Sequence, residues 1–162
     1  MIKSRYIFTA GAVFLSAALA VSYFQVQEPT GPTAIAIPAT LADDEVLTWT
    51  CEIPEYQPES IMLTCADGGW MVHTITWSKW AKSGAEGTGI FIEKLCEPSC
   101  AEGEIAKEKV KVTLSDLTEH KGKYYLRTLD IRTASGKDFM SGRADELKWD
   151  VMEFIEMMGW DE

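Results

Sequence analysis

Short segments in which apolar and polar side chains alternate most constrain the fold of this chain. The clearest segment is Lys109–Leu114, in which Val110, Val112 and Leu114 alternate with two lysines and a threonine. Its side chains therefore divide between an apolar and a polar face. Five more segments are rich in β-branched and aromatic residues and are separated by turn formers: 46–51, 60–65, 71–77, 88–95 and 124–132. The pattern predicts a mainly β fold, a small antiparallel sandwich or barrel of about six strands.

The C-terminal segment changes to a helical period. Its apolar residues fall three or four positions apart and precede Gly159, a residue type that commonly ends helices: Leu147, Val151, Phe154, Ile155 and Met158. This stripe predicts an amphipathic helix over 143–158. Because acidic residues occupy its other side, we expect it to pack on the open face of the sheet. A membrane-surface helix is the alternative, although such helices favour Lys and Arg on the polar face.

The N-terminus indicates export. Lys3 and Arg5 precede an uncharged, mostly apolar stretch at 6–24, which predicts an apolar helix that is a signal peptide or an uncleaved signal anchor. Small residues at 18 and 20, or at 40 and 42, offer cleavage sites. We expect 1–24 to be this segment, 25–45 to be a linker, and 46–162 to be a β-rich extracytoplasmic domain, secreted or anchored to the cytoplasmic membrane by residues 6–24.

Four cysteines in an exported chain of this size indicate two disulfides, and three connectivities are possible. The pairs Cys51–Cys65 and Cys96–Cys100 each flank a reversal of the chain, which favours that connectivity. A zinc site formed by cysteines with His73 or His120 is the alternative reading. The cysteine spacings lack Cys-x-x-Cys, and an oxidising compartment favours disulfides.

Several short motifs carry a resemblance to a known group. They are Cys65-Ala66-Asp67-Gly68-Gly69, Trp77-x-x-Trp80, Ala85-x-Gly87-x-Gly89 and Cys96-x-Pro98-x-Cys100-Ala101-x-Gly103. Residues 49–131 thereby resemble an uncharacterised group of small exported proteins of actinobacteria. The resemblance implies export and a disulfide-bearing β domain. It implies no activity and no catalytic residue.

The tryptophans are candidates for a carbohydrate-stacking surface, to which Trp49, Trp70 and Trp77 contribute if they share one side of the sheet. Trp77 and Trp80 are three residues apart, which in a regular strand places them on opposite faces. Packing within the core is the alternative role for these side chains. The run Asp67-Gly68-Gly69 predicts a tight hairpin, because glycine adopts positive φ readily.

No motif nominates a catalytic residue, a metal site or a cofactor. The chain lacks His-Glu-x-x-His and Gly-x-Ser-x-Gly, and the glycines at 84–89 lead into a predicted strand rather than a helix, unlike a phosphate-binding loop. A Ser-His-Asp arrangement assembled across the fold remains open. The two histidines otherwise read as structural or solvated.

Charge is distributed unevenly along the chain. The net charge is −10, which disfavours nucleic acid as a partner. Residues 43–104 carry 12 acidic and 3 basic residues, 107–137 carry 4 and 8, and 138–162 carry 8 and 2. The basic segment 107–137 predicts a cationic face formed by Lys107, Lys109, Lys111, Lys121, Lys123, Arg127 and Arg132. This face either meets an anionic lipid or cell-wall polymer, or pairs with the acidic C-terminal segment.

These observations favour a non-enzymatic interaction or binding module of the cell envelope. Its partner would be an envelope polymer or another exported protein, and only the N-terminal segment would contact the membrane. The alternative is a small secreted hydrolase or an inhibitor-like effector. A deep polar cleft that holds a histidine beside a serine or carboxylate would favour the enzyme.

Overall fold

A computed structural model describes residues 37–51, 53–96, 99 and 102–159. Its strands are β1 (Val46–Thr50), β2 (Ile53–Glu55), β3 (Ser60–Met62), β4 (Trp70–Ala81), β5 (Gly84–Lys94), β6 (Ile105–His120), β7 (Lys123–Thr133) and β8 (Glu146–Asp150), followed by helix α1 (Glu153–Met158). None of the helices in this part of the chain is long and apolar enough to cross a bilayer. The predicted N-terminal apolar helix lies outside the described residues.

The strands form one curled sheet, a half-barrel, in the order β2-β1-β7-β6-β5-β4-β3, with β8 also paired to β7. Strands β3 to β7 follow one another as antiparallel neighbours, whereas β1 runs parallel to β7. The prediction of a mainly β fold is confirmed. The described residues contain eight strands rather than six, and they form a single curled sheet rather than the two layers of a sandwich.

The inner face of this sheet carries the core. Along β6, Val110, Val112 and Leu114 are buried at 1% exposure or less, while the alternate residues are exposed. This arrangement confirms the two faces that the alternation predicts. Phe91 of β5 and Leu129 of β7 continue the same buried layer. The other face of β5 and β6 is therefore left to solvent.

The disulfide Cys51–Cys65 joins the two sides of the curled sheet. Cys51 directly follows β1, Cys65 follows β3 closely, and their Cα atoms are 5.4 Å apart. Beside the disulfide, the Met62 N–H donates a hydrogen bond to Thr50 Oγ1 at 3.3 Å. The predicted pairing of these two cysteines is confirmed.

The predicted helix over 143–158 is wrong for most of its length. Residues 146–150 form β8, and the helix is limited to the six residues of α1. The reason is tertiary: β1 pairs with β7 only at Tyr124 and Tyr125, so the later part of β7 would have an open edge, which β8 fills. In this strand, Leu147 and Trp149 pack against the core. The apolar residues of this segment thus fit the two-residue period of a strand as well as the spacing of a helix.

A bulge in β4 changes the faces of its tryptophans. The register with β5 shifts between Trp77 and Lys79, so the strict alternation of side chains ends there. The rings of Trp77 and Trp80 meet edge to face, with centroids 4.9 Å apart. The expectation that they lie on opposite faces is wrong for this reason.

A glycine in β5 permits the close approach of β4 at the same place. A Cβ atom at Gly87 would lie 2.8 Å from the Thr76 carbonyl oxygen and 3.0 Å from the Trp77 ring. Only glycine allows this contact without a shift of the neighbouring strand. The spaced glycines of β5 therefore serve strand packing.

β3 and β4 form the antiparallel hairpin that the sequence predicts, but seven residues separate the strands, so the connection is not the tight turn expected. Gly68 has φ 59°, and the Gly69 N–H donates to Asp67 Oδ1 at 2.9 Å. This hydrogen bond, to which a contact with Thr64 adds, lowers the pKa of the exposed Asp67 carboxyl. The carboxylate thus stabilises the turn by accepting a backbone donor.

Candidate functional site

A row of lysines lies on the outer face of β6. Lys107, Lys109 and Lys111 occupy alternate positions, all three are exposed, and no acidic side chain lies within ion-pair distance of them in the described part of the chain. Alternate residues of a strand are about 7 Å apart. The row therefore presents three separate positive charges to solvent, and we call it the lysine row.

Apolar side chains and a depression border the lysine row. Ile90 stands opposite Lys109 and Ile92 opposite Lys107 in the β5–β6 ladder, and both isoleucines are partly exposed. The depression has a volume of about 430 Å³, and it is lined by Thr74, Thr88, Gly89, Ile90, Lys109, Val110 and Ala134. A ligand on this face would meet charge and apolar surface together.

The guanidinium of Arg127 forms ion pairs with two carboxylates. The sequence also predicts this residue on the basic face. Its Nε donates to Asp150 Oδ2 at 2.8 Å, and its Nη1 and Nη2 donate to the two oxygens of Glu156, each at 2.8 Å. The hydrogen bond with Asp150, followed by those with Glu156, raises the pKa of Arg127 above its ordinary value. Arg127 thus ties β7 to β8 and α1.

Arg132 is likewise paired, within a cluster of charges on β7 and β8. It contacts Glu146 at 2.8 Å and Asp130 at 3.3 Å, and Lys148 contacts Glu146 at 3.2 Å. Burial, with the neighbouring Glu146, raises the pKa of Asp130, and the hydrogen bond from Asp130 lowers the pKa of Glu146. Both arginines of β7 therefore pair with the acidic C-terminal segment, in agreement with the alternative raised from the sequence, whereas the lysine row does not.

The Arg127 pairs predict a measurable loss of stability. We expect Arg127→Met to lower the free energy of unfolding by about 1–2 kcal/mol, because charge-assisted hydrogen bonds are lost but the side chain is partly solvated. Amide exchange in α1 should accelerate. The control Lys79→Met removes the exposed pair with Glu86 and should change stability by less than about 0.5 kcal/mol. Urea unfolding with equal losses in both variants would contradict this prediction.

The structure does not bring the four candidate tryptophans together on one surface. Trp49 is 7% exposed and packs against Tyr125, and Trp80 is 8% exposed and donates from its indole N–H to the Val46 carbonyl. Trp77 packs against Trp80 as described above. Trp49 and Trp80 therefore belong to the hydrophobic core, and Trp77 packs against it.

Trp70 lies in a different cluster. Its ring meets the Trp149 ring edge to face at 6.2 Å, and the Arg143 guanidinium lies 4.1 Å above it. Arg143 also contacts the buried Glu93 at 3.0 Å. Trp149, Arg143 and Glu93 have no part in the sequence predictions, because residues distant in sequence come together here only through the curl of the sheet.

His73 shows no catalytic arrangement within the described residues. His73 Nδ1 lies 2.6 Å from Thr74 Oγ1, and Ser60 stands opposite His73 in the β3–β4 ladder. Thr74 rather than a carboxylate contacts Nδ1, and His73 Nε2 has no hydrogen-bond partner in the described structure, so the ring lacks the carboxylate that orients a catalytic histidine. His120 ends β6, away from this ladder.

The remaining cysteines bear on the zinc alternative. Cys96 is in a disulfide, but Cys100 lies outside the described residues, so the pairing of these two stays a prediction. Among the residues that the structure describes, no group of three His, Cys, Asp or Glu side chains could hold a metal ion.

Comparison with known proteins adds no family to this picture. No protein family, curated protein or solved structure matches the chain.

Proposed function

We propose that the protein is an extracytoplasmic, non-enzymatic binding module that holds an anionic polymer of the cell envelope on the lysine row. The observation that carries this proposal is the contrast between two sets of cations. Arg127 and Arg132 are neutralised by carboxylates, whereas Lys107, Lys109 and Lys111 have no such partner among the described residues. An acidic protein that leaves three aligned lysines unpaired has a local field suited to an anion.

The geometry favours a polymer over a small anion. The three ammonium groups follow one strand, so a chain of repeating negative charges can meet all three at once. Multiple weak contacts along one chain raise the overall affinity. The depression beside Lys109 and the exposed sides of Ile90 and Ile92 offer space for the backbone of the polymer.

Two further features support an extracytoplasmic location. The predicted apolar N-terminal segment directs the domain outside the cytoplasm, and the disulfide Cys51–Cys65 is compatible with an oxidising compartment. The resemblance to small exported actinobacterial proteins agrees with both. Anionic polymers are accessible partners for a domain in that location.

The test uses immobilised poly(glycerol phosphate) as the anionic probe and neutral dextran as its counterpart. We expect binding at about 50 mM salt that weakens steeply as salt is raised, because released counterions drive the association. The variant K107Q/K109Q/K111Q should bind about tenfold more weakly or worse, since a Lys near an anionic surface contributes on the order of 1 kcal/mol.

The matched control K82Q/K123Q/K137Q changes the net charge by the same amount at lysines outside the row. It should retain most of the affinity for poly(glycerol phosphate). Equal losses in the two triple variants would show that only net charge matters and would overturn the proposal. Absence of binding to the phosphate polymer at low salt, or equal binding to dextran, would overturn it as well.

A further inference from the structure

The depression beside the lysine row runs across the strands. Its lining includes Thr74 of β4, Gly89 of β5, Val110 of β6 and Ala134, which directly follows β7. Neighbouring strands lie about 4.8 Å apart, so three strand spacings give the depression a length of about 14 Å. We call this depression the trough. Because the lysine row follows β6, the trough crosses the row rather than running beside it.

Two cross-strand pairs form the walls of the trough. Ile90 of β5 and Lys109 of β6 are register partners on one side. Thr88 and Lys111 are register partners on the other side, and Gly89, which has no side chain, lies between the two pairs in β5. The pairs are about 7 Å apart along the strands, so one row of ligand atoms would lie about 3.5 Å from each wall, close to the best non-bonded distance. A sugar ring is wider than one row of atoms, and the trough therefore favours a linear group.

The two threonines of the trough differ in their hydrogen bonding. Thr74 has φ 52°, which is rare for a β-branched residue, and its Oγ1 lies 2.6 Å from His73 Nδ1. The register between β4 and β5 shifts at this position, so a bulge holds this bonded pair at one end of the trough. Thr88, by contrast, is exposed, and no described residue hydrogen-bonds to its Oγ1. The Thr88 hydroxyl is therefore available to a polar group of a ligand.

The spacing of the lysine row matches one class of phosphate polymer. Successive lysines of the row are about 7 Å apart. An extended chain of single bonds advances about 1.2 Å per bond, as the peptide backbone does. Phosphorus atoms joined through a three-carbon polyol are six bonds apart, which spans about 7 Å, whereas a five-carbon polyol gives eight bonds and about 10 Å. Because multivalent binding is strongest when the spacer matches the span, the lysine row favours the three-carbon spacer.

We infer that the anionic polymer is a poly(polyol phosphate) with three-carbon units, a choice of ligand that rests on the proposed function. The polymer follows the lysine row, with successive phosphates at Lys107, Lys109 and Lys111. The polyol unit between the last two phosphates lies over the trough, and its free hydroxyl enters between the walls and hydrogen-bonds to Thr88 Oγ1. The lysines supply most of the affinity, whereas the width of the trough and the Thr88 hydroxyl supply the specificity.

The test compares synthetic hexamers that carry the same phosphate charge. The probe is hexa(glycerol phosphate). Hexa(propane-1,3-diol phosphate) keeps its spacing but lacks the hydroxyl, and hexa(pentane-1,5-diol phosphate) also has the longer spacer. Titration calorimetry at low salt should show the glycerol hexamer binding about fivefold more tightly than the propanediol hexamer, which loses one net hydrogen bond. The pentanediol hexamer should bind more weakly again, because its spacer exceeds the span between lysines.

A conservative variant identifies the partner of the ligand hydroxyl. Thr88→Val keeps the size and the strand preference of the side chain. It should weaken the glycerol hexamer about fivefold and leave the propanediol hexamer unchanged. The matched control Thr113→Val alters an exposed threonine of β6 beyond the lysine row and should change neither affinity. The comparison among hexamers uses the unaltered protein, so it stays valid if a variant fails to fold.

Three outcomes would overturn this choice of ligand and leave the proposed function standing. They are equal affinities of the glycerol and propanediol hexamers, equal losses of both hexamers in Thr88→Val, and binding of hexagalacturonate as tight as that of the glycerol hexamer. The third outcome would assign the lysine row to a polymer with carboxylates on sugar rings. In each case K107Q/K109Q/K111Q would still weaken the bound polymer. Absence of binding by every hexamer at about 1 mM would overturn the proposed function as well.

Discussion

Replacing Phe91 with alanine should lower the free energy of unfolding by about 3–5 kcal/mol, the usual range for a buried phenylalanine. Phe91 is 2% exposed in the middle of β5. Its ring meets the Phe139 ring edge to face, with centroids 5.2 Å apart. The substitution removes both the buried apolar area and this contact with the connection between β7 and β8, and the surrounding strands cannot collapse fully into the cavity.

Two controls separate the cavity from general effects on β5. Phe91→Leu keeps most of the volume and should lose less than Phe91→Ala, about 1–2 kcal/mol. Ile90→Ala changes the adjacent, partly exposed residue on the outer face and should lose clearly less than the buried substitution. Urea unfolding followed by tryptophan fluorescence measures all three. Equal losses for Phe91→Ala and Ile90→Ala would contradict the assignment of the inner face as the core.

The double variant C51A/C65A should lose about 3 kcal/mol, the value that chain entropy gives for a closed loop of about 15 residues. The two cysteines are 14 positions apart. Their bond fixes the end of β1 beside the end of β3, where the described backbone offers few other ties. Without this bond, the loop between the two cysteines is no longer closed in the unfolded chain. The unfolded chain therefore gains conformational entropy, which destabilises the folded state relative to it.

The measurement is urea unfolding of the double variant beside Thr50→Val, which removes only the adjacent hydrogen bond to the Met62 N–H. That control should lose about 1 kcal/mol. The expected order is therefore a larger loss for the double variant. A stability of the oxidised wild-type protein that equals that of C51A/C65A would exclude a stabilising role for this disulfide.

The sequence predicts local features of this fold well. The alternation in Lys109–Leu114 predicts both its buried and its exposed face, because a strand exposes every second side chain whatever it pairs with. The antiparallel hairpin around Asp67, although not its tightness, and the disulfide Cys51–Cys65 are also confirmed, since each depends on residues close together along the chain.

Features that depend on distant residues were not predictable in the same way. Residues 146–150 form β8 because β7, far away in sequence, has an open edge, and their helical stripe carries no information about that edge. The bulge that brings Trp77 against Trp80 depends on the register with β5. Tertiary pairing overrides local pattern in both cases.

The candidate sites show the same division. The exposure of Lys109 and Lys111 follows from their strand alone. That Arg127 would be held by Asp150 and Glu156 required the position of β8 beside β7, although the opposite charges of the two segments indicated some pairing. The trough combines residues of β4, β5 and β6 with Ala134, and no spacing within the sequence signals that arrangement.

The parallel pairing of β1 with β7 has a consequence for the order in which the domain folds. Strands β4 to β7 form successive hairpins, whose contacts close short loops. By contrast, the Thr48 hydroxyl donates to the Leu126 carbonyl across a separation of 78 residues. Closing so long a loop is entropically unfavourable before other contacts exist. We expect the antiparallel strands β4 to β7 to pair first. Strand β1, which the disulfide already ties to the segment after β3, would then pair with β7 in the last step.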